Sequence, residues 1–333
     1  MNTNFLSDSI VLNGKYQLSR VLRKMKNSQV LECNVIDESK RVAIKMLSRP
    51  FHEIGIQEIE MTKLVSSLRQ SLMVQFVDDF IIDGSVCIVI ELLGSSLLER
   101  LRVKPPCGIA EIQGLGERVF ETLDLLSKHN IVHADLKPEN ILYDLDLDPK
   151  KVKLVDYGNS ILTRNVNIYE DDFAIQSMRY RAPEVVFGLE ISCAIDIWSF
   201  GVCLIEACVG FNIFTATTPK ELIEQWVQFF GDSCEFGNFS SGRFFPRFRD
   251  SLLKRDILRA SQSKDDNESL LEAHLSTRNI KSVLLSSFPS IMNHNDDLCD
   301  LISRCLNMNP RNRITAEQAL NHPFFKRTRS VTA

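Results

Sequence analysis

The sequence predicts an α+β chain with antiparallel strands in its first part, an amphipathic helical segment after them, and a core large enough to divide into two lobes. Three observations carry this. The chain has 333 residues, 44% of them hydrophobic, enough for a large core that divides in two. Tyr16 to Val30 and Leu31 to Ile44 alternate apolar and polar residues, the period of antiparallel strands. Ile112 to His129 is instead an amphipathic segment, with Leu115, Val119, Phe120, Leu123, Leu125 and Leu126 as its apolar positions.

Composition narrows the function. A net charge of −4 gives no general reason to expect nucleic-acid or membrane binding. No apolar run reaches membrane-spanning length, and the polar start MNTNFLSDSI does not read as a signal peptide. Nine cysteines, an odd number without a C-x-x-C pair, sit mostly in apolar stretches, as Cys203 and Cys208 do. That predicts reduced thiols in the cytoplasm or nucleus rather than disulfides or a zinc site. There is no internal repeat, and the polar stretch Ser261 to Ser269 reads as a surface loop.

The segment His133-Ala134-Asp135-Leu136-Lys137-Pro138-Glu139-Asn140 follows the amphipathic segment and the short apolar run Ile131-Val132. Asp135, Lys137 and Asn140 are thereby placed on a polar loop between buried elements. An Asp accepts a hydroxyl proton, a Lys neutralises a transferring phosphoryl group, and an Asn ligates a hard cation through oxygen. Downstream, the apolar Val152, Leu154 and Val155 lead to Asp156-Tyr157-Gly158, a carboxylate suited to Mg²⁺ before a glycine that lets the chain turn.

These two strings resemble the catalytic loop and the metal-binding D-F-G of the eukaryotic protein kinases. Val42-Ala43-Ile44-Lys45 resembles the V-A-I-K of that family, which implies that Lys45 holds the α/β-phosphates of ATP. Glu58, in Ile56-Gln57-Glu58-Ile59-Glu60-Met61, is implied as its ion-pair partner, with Glu60 as the alternative because Thr62 stands where leucine is usual. The family's glycine-rich loop is replaced by Leu22-Arg23-Lys24-Met25-Lys26-Asn27-Ser28-Gln29-Val30. Arg23, Met25 and Ser28 stand where its glycines would be, so close backbone approach to the phosphates is lost. Arg23, Lys24 and Lys26 are candidates to replace it by charge.

Leu72 to Asp79 and Val86 to Leu93 read as two further strands. Ile88 to Gly94 resembles the hinge between kinase lobes, implying Ile90 as gatekeeper and the backbones of Glu91 and Leu93 as adenine contacts. Leu22, Val30, Ala43 and Leu142 are implied as further nucleotide-binding residues. Met73 to Phe80 and Gly94 to Leu98 look most like the SR-protein kinases. His133-Ala134-Asp135 lacks the arginine of H-R-D, which implies activity independent of an activation-loop phosphate. Asn159 to Arg181 is the implied activation segment, in which Glu170, Asp171 and Asp172 are either fixed negative charge or a solvated acidic loop.

Ile175-Gln176-Ser177-Met178-Arg179-Tyr180-Arg181-Ala182-Pro183-Glu184 resembles the corresponding string of the CMGC kinases, the group that includes the SR-protein, LAMMER and dual-specificity tyrosine-regulated branches. It departs from them at Met178, where an arginine is usual, and at Ala174, where one branch has its activating tyrosine. Arg181 matches the residue that shapes the pocket after the phosphoacceptor. Asp196 is implied to hold the catalytic-loop backbone, and Arg313 to pair with Glu184. The LAMMER string is absent, since Glu221 to Gly231 reads ELIEQWVQFFG.

The resemblance implies a bilobal kinase domain over 16–325, with the small lobe and hinge at 16–93 and the helical lobe at 94–325. That lobe carries an insert at about 211–297, and an extension (1–15) and a tail (326–333) flank the domain. It implies Asp135, Lys137 and Ser177 as catalytic, Asn140 and Asp156 as Mg²⁺ ligands, and ATP as phosphoryl donor to Ser/Thr of protein substrates, with arginine-serine-rich proteins a candidate class. A monomer is expected. Two other readings stand beside it: a scaffold without turnover, and a small-molecule phosphotransferase of related fold.

Overall fold

The computed structural model describes residues 10–164, 175–231, 234, 236–249, 252 and 295–329. Ala174, the acidic run Glu170 to Asp172 and the stretch Ser261 to Ser269 lie outside them. The first lobe is a six-stranded antiparallel sheet in the order β1-β2-β3-β4-β6-β5. Its strands are β1 (Val11–Leu12), β2 (Tyr16–Lys24), β3 (Ser28–Val35), β4 (Arg41–Leu47), β5 (Phe76–Ile82) and β6 (Ser85–Glu91).

Three strands therefore occupy 16–47, where the alternation suggested two. The chain reverses at Met25 to Asn27, closed by the Met25 amide donating to Ser28 O at 2.9 Å. It reverses again around Asp37, whose φ is 65°. The first of these turns is made from a methionine, a lysine and an asparagine, and the polar run Lys26 to Gln29 interrupts the alternation there. Leu72, Met73 and Val74 are buried but precede the strand expected of them, which begins at Phe76. An apolar run is needed equally by a strand and by a buried turn, and here the Leu72 and Met73 amides bond back to Arg69 O. The β5–β6 turn is Asp83-Gly84, both at positive φ (49° and 78°), the form that matches strand twist.

Alternation along β4 sends Val42 and Ile44 to one face, with Cys33, Cys87 and Val89. Leu47 goes to the other, packed with Ile59 of α1 (His52–Leu68) and with Val86 and Ile88. Lys45 shares that second face, so its ammonium points at α1.

The second lobe is built around α3 (Ile109–Lys128) and α5 (Ala194–Val209), whose apolar residues belong to one large core. Before α3, α2 (Leu97–Val103) starts on a capping box between Ser96 and Glu99. After it, short pairs β7–β10 (Ile131–Val132, Ile161–Leu162) and β8–β9 (Ile141–Leu142, Lys153–Leu154) hold the loops that matter for chemistry. Short α4 (Pro183–Phe187) precedes α5, and α6 (Pro219–Phe230) follows it. Within 211–297, α6 joins the main core, with Trp226 edge-on to Trp198 at 5.6 Å between ring centroids. Helices α7 (Asp296–Cys305), α8 (Ala316–Leu320) and α9 (Pro323–Arg329) close the lobe.

One buried acid in this core sets a pH dependence. Burial pushes the Glu206 carboxyl up to about 7 from the ordinary 4.5, against the Tyr180 hydroxyl and Ile213 amide that donate to it. Above pH 4.5 the unfolded chain has lost a proton that the folded chain still holds, so stability falls as pH rises through about 7. A Glu206→Gln chain keeps the Ile213 bond through its amide oxygen and donates to Tyr180 through its nitrogen. Denaturant midpoints at about pH 5 and about pH 8 should fall for the parent and stay level for the variant; a parallel fall in both would contradict this.

Candidate functional site: a cleft between the lobes

A cleft of about 450 Å³ separates the lobes. Leu22, Val30 and Ala43 line it from the sheet, Ile90, Glu91 and Leu93 from the connection, and Leu142 from below. The Glu91 carboxylate is turned to other work, accepting from Lys153 Nζ at 2.6 Å and from the Gln75 amide at 2.7 Å.

The inner wall holds the charges. Lys45 Nζ lies 2.6 and 2.8 Å from the two Glu58 carboxylate oxygens and 2.6 Å from Asp156 Oδ1. Burial pulls the Lys45 ammonium down, but the Asp156 and Glu58 carboxylates outweigh it and hold it above its usual value. Glu58 is raised by burial, opposed by Lys45, while Asp156 is depressed: burial pushes it up, and Lys45, Lys137 and His133 pull it further down. Glu60 is exposed, so the choice between the two glutamates falls on Glu58. A Cβ at Gly158 would stand 2.9 Å from Glu58 Oε2; the residue after Tyr157 must be glycine for α1 to bring its carboxylate this close. Thr62 is buried beside them on the same cleft wall.

Asp156 sits at φ 70° and Ala134 at φ 61°, both left-handed conformations that aim neighbouring side chains off the regular path. Asp196, at the start of α5, accepts the His133 and Ala134 amides at 2.7 and 3.0 Å, which pins the loop. Burial raises the Asp196 carboxyl, and His133 with the two amides offsets part of this. The loop then presents Asp135, Lys137 and Asn140. Lys137 Nζ is 2.7 Å from Asp135 Oδ2 and 3.0 Å from Ser177 Oγ, and Ser177 donates to Asp135 Oδ1 at 2.7 Å. The three residues expected to be catalytic thus form one closed triangle.

Asn140 donates through Nδ2 to Asp135 O at 2.9 Å, which leaves its amide oxygen for a cation. Asp156 gives Oδ1 to Lys45, while its Oδ2 makes no hydrogen bond among the described residues. One amide oxygen and one carboxylate oxygen on the same cleft wall suit Mg²⁺, which takes few protein ligands and completes its shell with water and phosphate.

The cations of the glycine-free hairpin divide. Arg23 lines the cleft, as does Met25, whereas Lys24 and Lys26 line a separate recess on the other side of the hairpin. Of these three candidate cations, Arg23 alone borders the cleft.

Sequence reasoning quoted Gln176 only as part of a string, yet it is a keystone. It is buried at φ 64°; its amide donates to Ala134 O at 3.0 Å and its side chain bonds Ser199 Oγ, Ile195 O and the Ala182 amide. It fixes the backbone that offers Ser177. Asn159 was missed outright and lies 3.5 Å from Asp135 Oδ2. Neither carries a compositional signal. Arg181 donates to Gln176 O at 2.8 Å.

Tyr157 packs its ring on His133, 5.0 Å between centroids, and its hydroxyl finds Met73 Sδ at 3.9 Å. A thioether is a weak acceptor for a fully buried hydroxyl. Tyr157→Phe should therefore raise stability by up to about 1 kcal/mol in chemical denaturation; a loss of that size would contradict the reading.

With this geometry in view, the sequence matches the family model described as the protein kinase domain over residues 16–325. It is similar to the serine/threonine-protein kinase ppk5 of Schizosaccharomyces pombe, 30% identical over 318 residues, covering 93% of this chain and 36% of that one. The DYRK-family kinase pom1 of the same organism is 29% identical over 332 residues, covering 93% of this chain and 27% of its own. The dual specificity protein kinase CLK4 of Homo sapiens is 27% identical over 346 residues, with 95% and 67% covered. The chain thus spans well under two thirds of the two yeast relatives. A crystal structure of a kinase domain superposes with a TM-score of 0.74 at 21% identity, covering 96% of this chain and 97% of the other, a likeness of fold.

Proposed function

Because the chain belongs to the protein kinase domain family, in its CMGC group, we propose that it transfers the γ-phosphoryl group of ATP to serine or threonine hydroxyls of protein substrates. The observation that carries this is Lys45, held at 2.6 Å from both Glu58 and Asp156. The group that would place the phosphates and the carboxylate that would hold the metal are joined across the lobes.

In this reading Lys45 positions the α/β-phosphates and Arg23 adds a second cation from the hairpin. Asn140 and Asp156 would hold Mg²⁺, which supplies neutralising charge on the phosphate oxygens. Asp135 takes the incoming hydroxyl as it now takes that of Ser177, at 2.7 Å, and orients or accepts its proton. Lys137 stabilises the transferring group. Little covalent help is needed, so positioning and electrostatics carry the rate.

Arginine-serine-rich proteins are the proposed substrate class, supported by the likeness of Met73 to Phe80 and Gly94 to Leu98 to SR-protein kinases. The cytoplasm or nucleus is the proposed compartment, in keeping with nine cysteines of which none forms a disulfide among the described residues. One observation favours a scaffold instead: side chains at Arg23, Met25 and Ser28 occupy a hairpin where close backbone approach is usual. Acceptor choice tests the proposal. With ATP·Mg²⁺, label should enter an arginine-serine peptide but not its Ser→Tyr twin or a small-molecule alcohol. Label on the tyrosine twin would overturn the Ser/Thr assignment, and label on the alcohol alone would overturn the protein-kinase reading.

A further inference from the structure

Lys24 and Lys26 have no part in the cleft, and the place they do occupy is a second cavity. It measures about 320 Å³ and lies on the outer side of the β2–β3 hairpin, lined by both lysines, Arg49, Ser28, Met25 and Met46. All three cations are exposed, and among the described residues none is in an ion pair. The contrast with the cleft is sharp. There Lys45, Arg20 and Arg41 each lie within 2.8 Å of a carboxylate.

The recess is held in shape from both sides. The Ser48 amide donates to Asn27 O at 3.0 Å, tying the hairpin tip to the segment that carries Arg49. The stem of Arg49 lies against the Asp83-Gly84 turn so closely that a Cβ at Gly84 would stand 2.9 Å from Arg49 Cγ. Two thioethers share the rest of the wall with Gln29, Ser48 and Ser85; Gln29 Nε2 lies 3.4 Å from Met46 Sδ and Ser28 Oγ 3.9 Å from Met25 Sδ. Three cations and no acid line the recess, so a dianion placed there would be attracted by all of them.

We propose that this recess binds a phosphoryl group carried on a peptide side chain, a phosphoserine or phosphothreonine, separately from the nucleotide cleft. The two lysines and the guanidinium would bond the phosphate oxygens. The methionines select the peptide over a free anion, because a hydrocarbon stem gains from a polarisable apolar wall and inorganic phosphate does not. A bound phosphate would link the hairpin to the segment leading into α1, bracing both elements that border the nucleotide.

The test is fluorescence anisotropy on the full chain with a short labelled phosphoserine peptide and its unphosphorylated twin. The phosphopeptide should bind at least about tenfold tighter than the twin. A Lys24→Gln, Lys26→Gln, Arg49→Gln chain should lose at least about tenfold while keeping its melting temperature, since all three side chains are exposed. Equal binding of the two peptides, or unchanged affinity in the variant, would overturn the proposal. Displacement by inorganic phosphate at concentrations equal to the peptide's, or preferential binding of single-stranded RNA of equal charge, would overturn the assignment to a peptide. No arm depends on ATP turnover.

Discussion

Replacing Arg313 with alanine is expected to destabilise the chain by about 3–5 kcal/mol, the cost of stranding a buried charge. Arg313 meets Glu184 with two bonds of 2.5 and 2.9 Å, and both side chains are 0% exposed. The same guanidinium also donates to Ala194 O at 2.7 Å and Asn307 O at 3.1 Å and lies 5.2 Å over the Trp198 ring. It thus ties α4, α5 and the segment before α8 at one point. Without it, Glu184 must either stay charged with no partner or take up a proton.

The pair is an anchor rather than a large net gain, because desolvating both charges consumes most of their attraction. That distinction is measurable by urea unfolding. The single Arg313→Ala change should be far more costly than the double change Arg313→Met with Glu184→Leu, which leaves no charge behind. A single variant within about 1 kcal/mol of the parent would contradict the account.

Asp135→Asn should lower turnover by about 10²–10⁴-fold and leave nucleotide affinity nearly unchanged. Asn keeps the shape of the side chain and removes the charge that would attract a hydroxyl proton. Asp135 bonds Lys137 and Ser177 and stands apart from the Lys45–Glu58–Asp156 group that would hold the phosphates. Steady-state kinetics should show kcat falling with KM for ATP preserved. A rise in KM with kcat intact would assign Asp135 to binding instead.

Much of the site was legible because its chemistry is concentrated in short strings. Asp135, Lys137 and Asn140 lie within six residues, and Asp156 ends an apolar run. Lys45 and Glu58 were harder, since which glutamate faces the lysine depends on helix register that periodicity leaves open at Glu60. The β2–β3 turn has no glycine or proline to announce it; its one signal is the polar run Lys26 to Gln29, which breaks the alternation and is easily overlooked in a stretch read as a single strand. The role of Gln176 was hidden for another reason. Its partners are Ala134, Ala182, Ile195 and Ser199, brought together only by the tertiary fold. The outer recess has the same origin: residues near 24–29, 46–49 and 85 meet there and nowhere in sequence.

The most direct test is single-turnover transfer, with enzyme in excess over γ-labelled ATP·Mg²⁺ and a saturating arginine-serine peptide. This format detects one chemical event per site even when product release is slow. The account predicts label on the peptide, lost when Mg²⁺ is chelated and slowed by Asp135→Asn. ATP·Mg²⁺ that binds yet leaves peptides and intact protein substrates unlabelled would contradict it, and would make this cleft a nucleotide-holding scaffold.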